Sequence, residues 1–265
     1  MLADNTKIRN HDYESGCWQT TLKLAIRERL CSTVVLLSSL FLGGNAQMQS
    51  YTLEEARRIV MQCAKQYKAN LLDKQFILIY RDRNDNQVKS LELVFEKGNY
   101  QHLTGIELID ENGNVREHVS ELFYSKCLNN QLAKDEIQFK KNGTTNLKLM
   151  ALPVMMGIHK VTKIAGDFNF SRPYLVADKV IGNINFCLGL RLIDEYYVPV
   201  SALLEDIKQL TNVQSQVLAI LSKELTEDTY SNISHAAKGL NLNNLTISDD
   251  IMKKISLENY VPKEK

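Results

Sequence analysis

One histidine, His102, lies beside a turn and a hydroxyl group in the segment GNYQHLTG, residues 98–105. An imidazole titrates near neutral pH and can therefore take up or deliver a proton. Thr104, two residues later, can donate a hydrogen bond to a phosphate oxygen. Each residue also has a local alternative, in which the backbone satisfies the histidine ring and the threonine caps the next turn.

Two cationic residues and a serine in a later, strand-rich block extend this chemistry. Lys179 lies among apolar residues on a predicted strand, where it can stabilise negative charge on phosphorus or merely protect an edge strand. Arg191 can bind a phosphate through two N–H groups or pair with acidic residues of the next turn. Ser201 can donate a hydrogen bond, although its place before ALLEDI also suits a helix N-cap.

Other residues give weaker signals. Lys148 and the pair His159–Lys160 flank an apolar segment and can form a basic rim or lie solvated at helix ends. The motifs HExxH, GxSxG, GxGxxG and the P-loop are absent, and the paired aspartates lack partners at metal-ligand spacing. We therefore expect neither a metal ion nor a cofactor. Several tyrosines can stack on bases or simply belong to a sheet: Tyr100, Tyr124, Tyr174, Tyr196 and Tyr197.

Hydrophobic spacing predicts the elements that must position these residues. A capping box at Thr52 and Glu55 begins the first helix. The order predicts an α+β fold with an N-terminal helix, an antiparallel sheet ending in a late β-meander, and a helical insert. The expected elements are a helix over 53–72, strands over 75–80 and 88–95, helices over 119–132 and 147–158, strands over 174–181, 185–193 and 196–200, a closing helix over 203–210, and one more helix through Val217, Leu218, Leu221 and Leu225.

Composition narrows the possible classes of protein. The 265 residues carry 32 Lys and Arg against 31 Asp and Glu, so bulk electrostatic attraction to nucleic acid is not indicated. A local basic cleft remains compatible with this balance. The 5 cysteines are widely spaced and never CxxC, which argues against a zinc knuckle or a disulfide framework. A reducing cytoplasm suits this cysteine usage best.

The N-terminal region, residues 1–47, carries an uncharged apolar run, LCSTVVLLSSLFLGG, that ends near Ala46. It can be a secretory signal, a buried helix, or an extension upstream of a start at Met48. The acidic residues before the run are unusual for a signal, so we favour an extension or accessory helix. The run is too short for stable membrane insertion. The predicted organisation is this extension, a main domain over 48–210, and a helical or flexible tail over 211–265.

Taken together, several segments resemble the fourth type of the phage-associated barnase–EndoU–colicin–RelE (BECR) nuclease families. The resemblance covers about Tyr51–Leu210 and rests on the overall order of the pieces. The segments that carry it are LELVFEKGNYQHLTGIEL, FYSK, KLMAL, and LVADKVIG with LGLRL and YYVPVSALLEDI.

The resemblance implies a BECR-like fold and a metal-independent endoribonuclease of a phage or mobile element. Such an enzyme uses the neighbouring 2′-hydroxyl as nucleophile, and it needs a base, an acid and cations. His102 is then the acid and base, Lys179 and Arg191 stabilise charge, and Thr104 and Ser201 are auxiliary donors. The expected partners are tRNA or mRNA and an immunity or inhibitor protein. A catalytically inactive RNA- or protein-binding module, and a secreted toxin, are the alternatives.

Overall fold

The computed structural model describes residues 50–171, 175–258 and 260–262. The described part of the chain begins with a capped helix. Helix α1 (Leu53–Asn70) begins at Thr52, whose hydroxyl accepts a hydrogen bond from the Glu55 N–H, while the Glu55 carboxylate accepts one from the Thr52 N–H. The predicted capping box is therefore confirmed. The expectations for residues 1–47 lie outside the described residues.

The elements that follow alternate between strands and short helices. The first two strands form the expected hairpin, and the insert before β5 is mainly helical, as expected. In chain order the elements are β1 (Lys74–Arg81), β2 (Val88–Val94), α2 (Lys97–Thr104), β3 (Ile106–Leu108), α3 (Ser120–Leu128), β4 (Ile137–Phe139), α4 (Thr145–Met155), α5 (Ile158–Val161), β5 (Ile164–Asp167), β6 (Lys179–Gly182), β7 (Cys187–Ile193), β8 (Tyr196–Leu203), β9 (Ser215–Glu224), β10 (Asn232–Ala236) and α6 (Asp249–Met252).

The main sheet has 8 strands in the order β1-β2-β8-β7-β6-β5-β9-β10, and β1 also pairs with β9. Hydrogen-bonded pairs therefore link β1, β2, β8, β7, β6, β5 and β9 into a closed circuit. All of these pairs are antiparallel except β2 with β8, which run parallel and meet at Leu93 and Tyr197. The α+β prediction and the meander β6-β7-β8 are confirmed, whereas the sheet is mixed rather than wholly antiparallel. Strands β3 and β4 form a separate pair.

The helix predicted through Val217 and Leu221 is wrong, because this segment is strand β9. It pairs with β1 along its length and is buried on both faces over most of its residues. A strand buried on both faces has a continuous apolar run, which periodicity cannot distinguish from a buried helix. The chain after residue 210 thus supplies a strand at the centre of the fold.

The closing helix predicted over 203–210 is also wrong. Strand β8 continues to Leu203, and only a short 3₁₀ turn, Ile207–Gln209, follows. Ser201 consequently caps no helix. It lies on β8 opposite Gly189 and is buried.

Buried side chains form clusters on both faces of the sheet. Along β1, Phe76 and Leu78 join a large cluster with helices α1–α4, whereas Ile77 and Ile79 join a second cluster with the C-terminal segment. A third cluster lies on that second face of β6 and β7, beneath the 3₁₀ turn. Within the described ranges, no helix is long and apolar enough to cross a membrane.

Three buried tyrosines from α1, α2 and α3 pack together in the large cluster: Tyr124 lies edge to face against Tyr67 and Tyr100, whose own rings are tilted against each other. Tyr100 and Tyr124 are thus core residues and present no surface on which a base could stack. The Tyr100 hydroxyl donates to the Val60 carbonyl at 2.5 Å, whereas the Tyr124 hydroxyl is buried without a partner among the described residues.

We predict opposite effects of deleting these two hydroxyls. Tyr124→Phe should leave the free energy of unfolding unchanged or raise it by up to about 1 kcal/mol, because a buried unpaired hydroxyl is costly. Tyr100→Phe should lower it by about 1 kcal/mol, because a satisfied hydrogen bond is lost. Urea unfolding of both variants measures the difference, and equal losses would contradict the described core.

Candidate functional site

His102 lies on the outer face of helix α2, immediately after the hairpin. The Asn99 side chain accepts a hydrogen bond from the Glu96 N–H at 2.8 Å and so fixes the start of the helix. Tyr100 and Leu103 face the core, which turns His102 outward as an exposed residue. The helix ends at Gly105, which adopts a left-handed conformation with φ of 72°.

The Gly105 carbonyl holds three elements together at this helix end. It accepts hydrogen bonds from the Lys140 N–H, just after β4, at 3.0 Å, and from the Thr145 hydroxyl, at the start of α4, at 2.7 Å. A Cβ on Gly105 would lie 3.0 Å from the Thr145 Cα and 3.3 Å from the Lys148 Cδ. Only glycine therefore combines this backbone conformation with so close an approach of α4.

The contacts at Gly105 place two lysines, Lys140 and Lys148, near the imidazole of His102. Lys148 Nζ donates to the His102 carbonyl at 2.7 Å, across 46 residues of sequence. Partial burial of its ring, and then the ammonium groups of Lys140 and Lys148, lower the pKa of His102 from its usual value. The imidazole is thus mainly neutral at pH 7 and can accept a proton.

The lysines of this site lack counter-ions. Burial, and then the charge of Lys140, lower the pKa of Lys148 to about 8. Within the part of the chain that the structure describes, neither lysine forms an ion pair. Two ammonium groups without carboxylate partners attract an anion, and a neutral base stands beside them.

Thr104 lies close in sequence to His102 but points inward. It is fully buried, its hydroxyl donates to the Gln101 carbonyl at 2.8 Å, and it accepts from the Ile106 N–H at 3.1 Å. Both bonds close the end of α2. The local capping role therefore accounts for Thr104.

Lys179 belongs to a different group of side chains. It begins β6 opposite Asp167 on β5, and its Nζ lies 2.5 Å from Asp167 Oδ1. The charged groups that perturb His102 and those that perturb Lys179 have no residue in common. The structure thus places the two in separate electrostatic environments.

Arg191 and Ser201 lie on the other face of the sheet. Lys179 pairs with Leu190, so both point to the face of the large cluster, and the next residue, Arg191, points to the opposite one. Ser201 lies opposite Gly189 and shares this second face. Arg191 is exposed and has no ion-pair partner in the described ranges. Lys179 and Arg191 therefore cannot approach one phosphate from the same side of the sheet.

Lys148 was only a weak candidate from its sequence context, and Lys140 was not a candidate. Lys140 is held near His102 by the bond of its N–H to the Gly105 carbonyl, and Lys148 by the bond of its Nζ to the His102 carbonyl, and neither long-range contact has a local sequence signal. His159, expected on a basic rim, is instead buried against Phe76, and this burial lowers its pKa to about 4. In the described ranges, no group of three or more His, Cys, Asp or Glu residues could hold a metal ion.

Comparison with known protein families identifies the family of the chain. A family model described as phage-Barnase-EndoU-ColicinE5/D-RelE like nuclease 4 matches residues 59–239, which is more than half of the chain. The match includes His102, Lys140 and Lys148, and it extends past Leu210, where the resemblance was expected to end, through strand β9. No curated protein and no solved structure matches the chain.

We predict that Gly105→Ala is more destabilising than Gly113→Ala. Both glycines have positive φ, of 72° and 81°, so both variants gain a strained alanine and the same entropy change in the unfolded chain. A Cβ at Gly113 meets no atom within 4 Å, whereas at Gly105 it crowds the α4 backbone. The free energy of unfolding in urea should fall by a further 1–3 kcal/mol, roughly, for Gly105→Ala. Equal losses would contradict the close approach of α4.

Proposed function

The chain belongs to the phage-Barnase-EndoU-ColicinE5/D-RelE like nuclease 4 family, and from this premise we propose that it is a metal-independent endoribonuclease. Its reaction centre is His102 together with Lys140 and Lys148. The observation that carries the proposal is a neutral imidazole beside two ammonium groups that have no carboxylate partners. This set supplies both a proton acceptor and the positive charge that a phosphodiester requires.

In the proposed reaction the neutral imidazole of His102 takes the proton of a 2′-hydroxyl, and the 2′-oxygen attacks the adjacent phosphorus. The bond from phosphorus to the 5′-oxygen breaks, and the imidazolium gives the proton to that departing oxygen. The products are a 2′,3′-cyclic phosphate and a free 5′-hydroxyl. Because the same imidazole accepts the proton and later returns it, the proton balance closes and the reaction needs no second acid.

Lys140 and Lys148 bind the phosphate and stabilise the charge that develops on its oxygens. The phosphate in turn stabilises the protonated form of Lys148, whose pKa is about 8 in the free protein. Binding of substrate and protonation of Lys148 are thus coupled. The proposal therefore predicts a pH dependence with two limbs, one from His102 and one from Lys148.

The test is the pH profile of kcat/KM for RNA cleavage in excess EDTA. Activity should rise with pH as His102 loses its proton, below its usual value of about 6.5, and should fall above pH about 8 as Lys148 loses its charge. Lys148→Arg should remove the basic limb, because arginine keeps its charge. Lys140→Met should move both limbs to higher pH, because it removes a neighbouring positive charge from both groups.

The size of the loss in kcat/KM for each variant separates a catalytic role of a residue from a purely structural one. His102→Gln should lower kcat/KM by about 10²- to 10⁴-fold, and Lys148→Met by about 10²-fold. Lys160→Met is the matched control, because Lys160 is an exposed lysine on α5, and it should change nothing. Cleavage that survives His102→Gln with an unaltered profile would overturn the site. A folded protein that cleaves no RNA would favour the non-catalytic RNA-binding module.

A further inference from the structure

The side-chain amine of Lys148 is held in one place by two contacts, whereas the proposed reaction uses it only as a cation. The stem of this half-buried side chain packs against the end of α2, where its Cδ would lie 3.3 Å from a Cβ on Gly105. The Nζ donates to the His102 carbonyl at 2.7 Å. The amine therefore has a fixed position beside His102, and its chemistry there can be considered in its own right.

The charges around Lys148 differ from those around the paired lysines of the fold. Ion pairs with carboxylates stabilise the ammonium form of several other lysines: Lys74, Lys89, Lys126, Lys179 and Lys254. Among the residues that the structure describes, Lys148 has no such partner. Burial and the positive charge of Lys140 instead lower its pKa to about 8. A partly desolvated lysine beside a second cation is a typical activated amine nucleophile.

The hydrogen bond to the His102 carbonyl leaves the nucleophilic electrons of Lys148 free. A deprotonated amine has two N–H groups and one lone pair. One N–H is enough to keep the bond to the carbonyl oxygen, because that oxygen only accepts. The contact thus orients the amine and does not occupy its lone pair.

Lys140 places an anion-binding group beside this nucleophile. Its N–H donates to the Gly105 carbonyl at 3.0 Å, so its backbone is fixed at the same helix end. Its own ammonium forms no ion pair in the described ranges, and it is close enough to perturb Lys148. A reagent that carries both a phosphate and a reactive carbon therefore meets an ammonium for the first and an amine for the second.

Acyl phosphates are the reagents that match this arrangement. In an acyl phosphate a single oxygen atom joins the carbonyl carbon to the phosphorus, so a bound phosphate brings the carbon next to the amine. In a coenzyme A thioester many bonds separate the acyl carbon from the nearest phosphate. Binding of that phosphate consequently does not deliver the acyl group to Lys148.

We propose that acyl phosphates acylate Lys148 and thereby switch off the reaction centre, an effect on cleavage that rests on the proposed ribonuclease function. The Nζ lone pair forms a bond to the carbonyl carbon, and the bond from that carbon to the phosphate oxygen breaks. The departing phosphate takes the amine proton. The product is a neutral amide, which no longer supplies positive charge to a phosphodiester.

The first test locates acetylation by mass spectrometry after the full chain is treated with acetyl phosphate without RNA. At neutral pH Lys148 should react about tenfold faster than Lys160, because its lower pKa leaves more of the amine uncharged. Lys160, an exposed lysine on α5, is the internal reference. Inorganic phosphate should slow the reaction of Lys148 and not that of Lys160, because it competes for Lys140.

Matched variants then test the role of the neighbouring cation. Lys140→Met should slow acetylation of Lys148 by about tenfold, because it removes the phosphate-binding group and a charge that lowers the Lys148 pKa. Lys141→Met is the control, because Lys141 is the adjacent exposed lysine, and it should leave the rate unchanged. Acetyl N-hydroxysuccinimide has no phosphate, so inorganic phosphate should not slow its reaction with Lys148.

The second test follows RNA cleavage in EDTA as Lys148 becomes acetylated. The value of kcat/KM for the acetylated chain should be about 10²-fold lower, because the charge on one phosphate-binding group is lost. Lys148→Gln, which resembles acetyl-lysine in its neutral amide, should show the same loss. Lys148→Arg has no amine to acetylate at this position, so treatment with acetyl phosphate should leave its activity at the untreated level.

The outcomes distinguish the modification site from the proposed function. Preferential acetylation of Lys148 that depends on Lys140 supports the site, even for a chain that cleaves no RNA. Equal rates at Lys148 and Lys160, or a rate at Lys148 that Lys140→Met leaves unchanged in a folded protein, overturn it and leave the reaction centre intact. Cleavage that persists after complete acetylation of Lys148 rejects the switch.

Discussion

The proposed reaction centre depends on one contact, the hydrogen bonds that the carbonyl oxygen of Gly105 accepts. This oxygen joins the end of α2, the end of β4 and the start of α4 through hydrogen bonds from the Lys140 N–H and the Thr145 hydroxyl. A Cβ on Gly105 would lie 3.0 Å from the Thr145 Cα, so the absence of a side chain permits the short distance between α2 and α4. That distance brings Lys148 against His102. The polar chemistry of the site is therefore a consequence of one backbone position.

Charge divides the polar surface of the molecule into two different environments. Beside His102, two lysines lack carboxylate partners, and partial burial of the ring, followed by these two positive charges, lowers the pKa of the imidazole. Around the β5–β6 pair, by contrast, Lys179 already has a carboxylate partner in Asp167, and Lys89 has partners in Asp82 and Asp85. The overall balance of 32 basic and 31 acidic residues conceals this division. A nearly neutral chain can thus bind a phosphate locally without general affinity for nucleic acid.

Short sequence patterns correctly predicted the elements that contacts between residues close in sequence determine. The capping box of α1, the first hairpin and the meander β6-β7-β8 follow from adjacent residues. Strand β9 was mistaken for a helix because its place between β1 and β5 buries both of its faces. His102 was a candidate from its motif and Lys148 only a weak one, whereas Lys140 was no candidate, because these residues converge only through folding. Lys179 and Arg191 were predicted to act together, whereas the register of β6 and β7, which sequence alone did not give, sends them to opposite faces of the sheet.

The most direct test of the proposed reaction changes the substrate rather than the protein. An RNA oligonucleotide that the full chain cleaves in EDTA is compared with the same oligonucleotide carrying one 2′-deoxynucleotide at the cleaved position. If the 2′-hydroxyl is the nucleophile, cleavage stops at that position alone, and the unmodified products end in 2′,3′-cyclic phosphates. Cleavage of the 2′-deoxy position at an equal rate would contradict the proposed reaction.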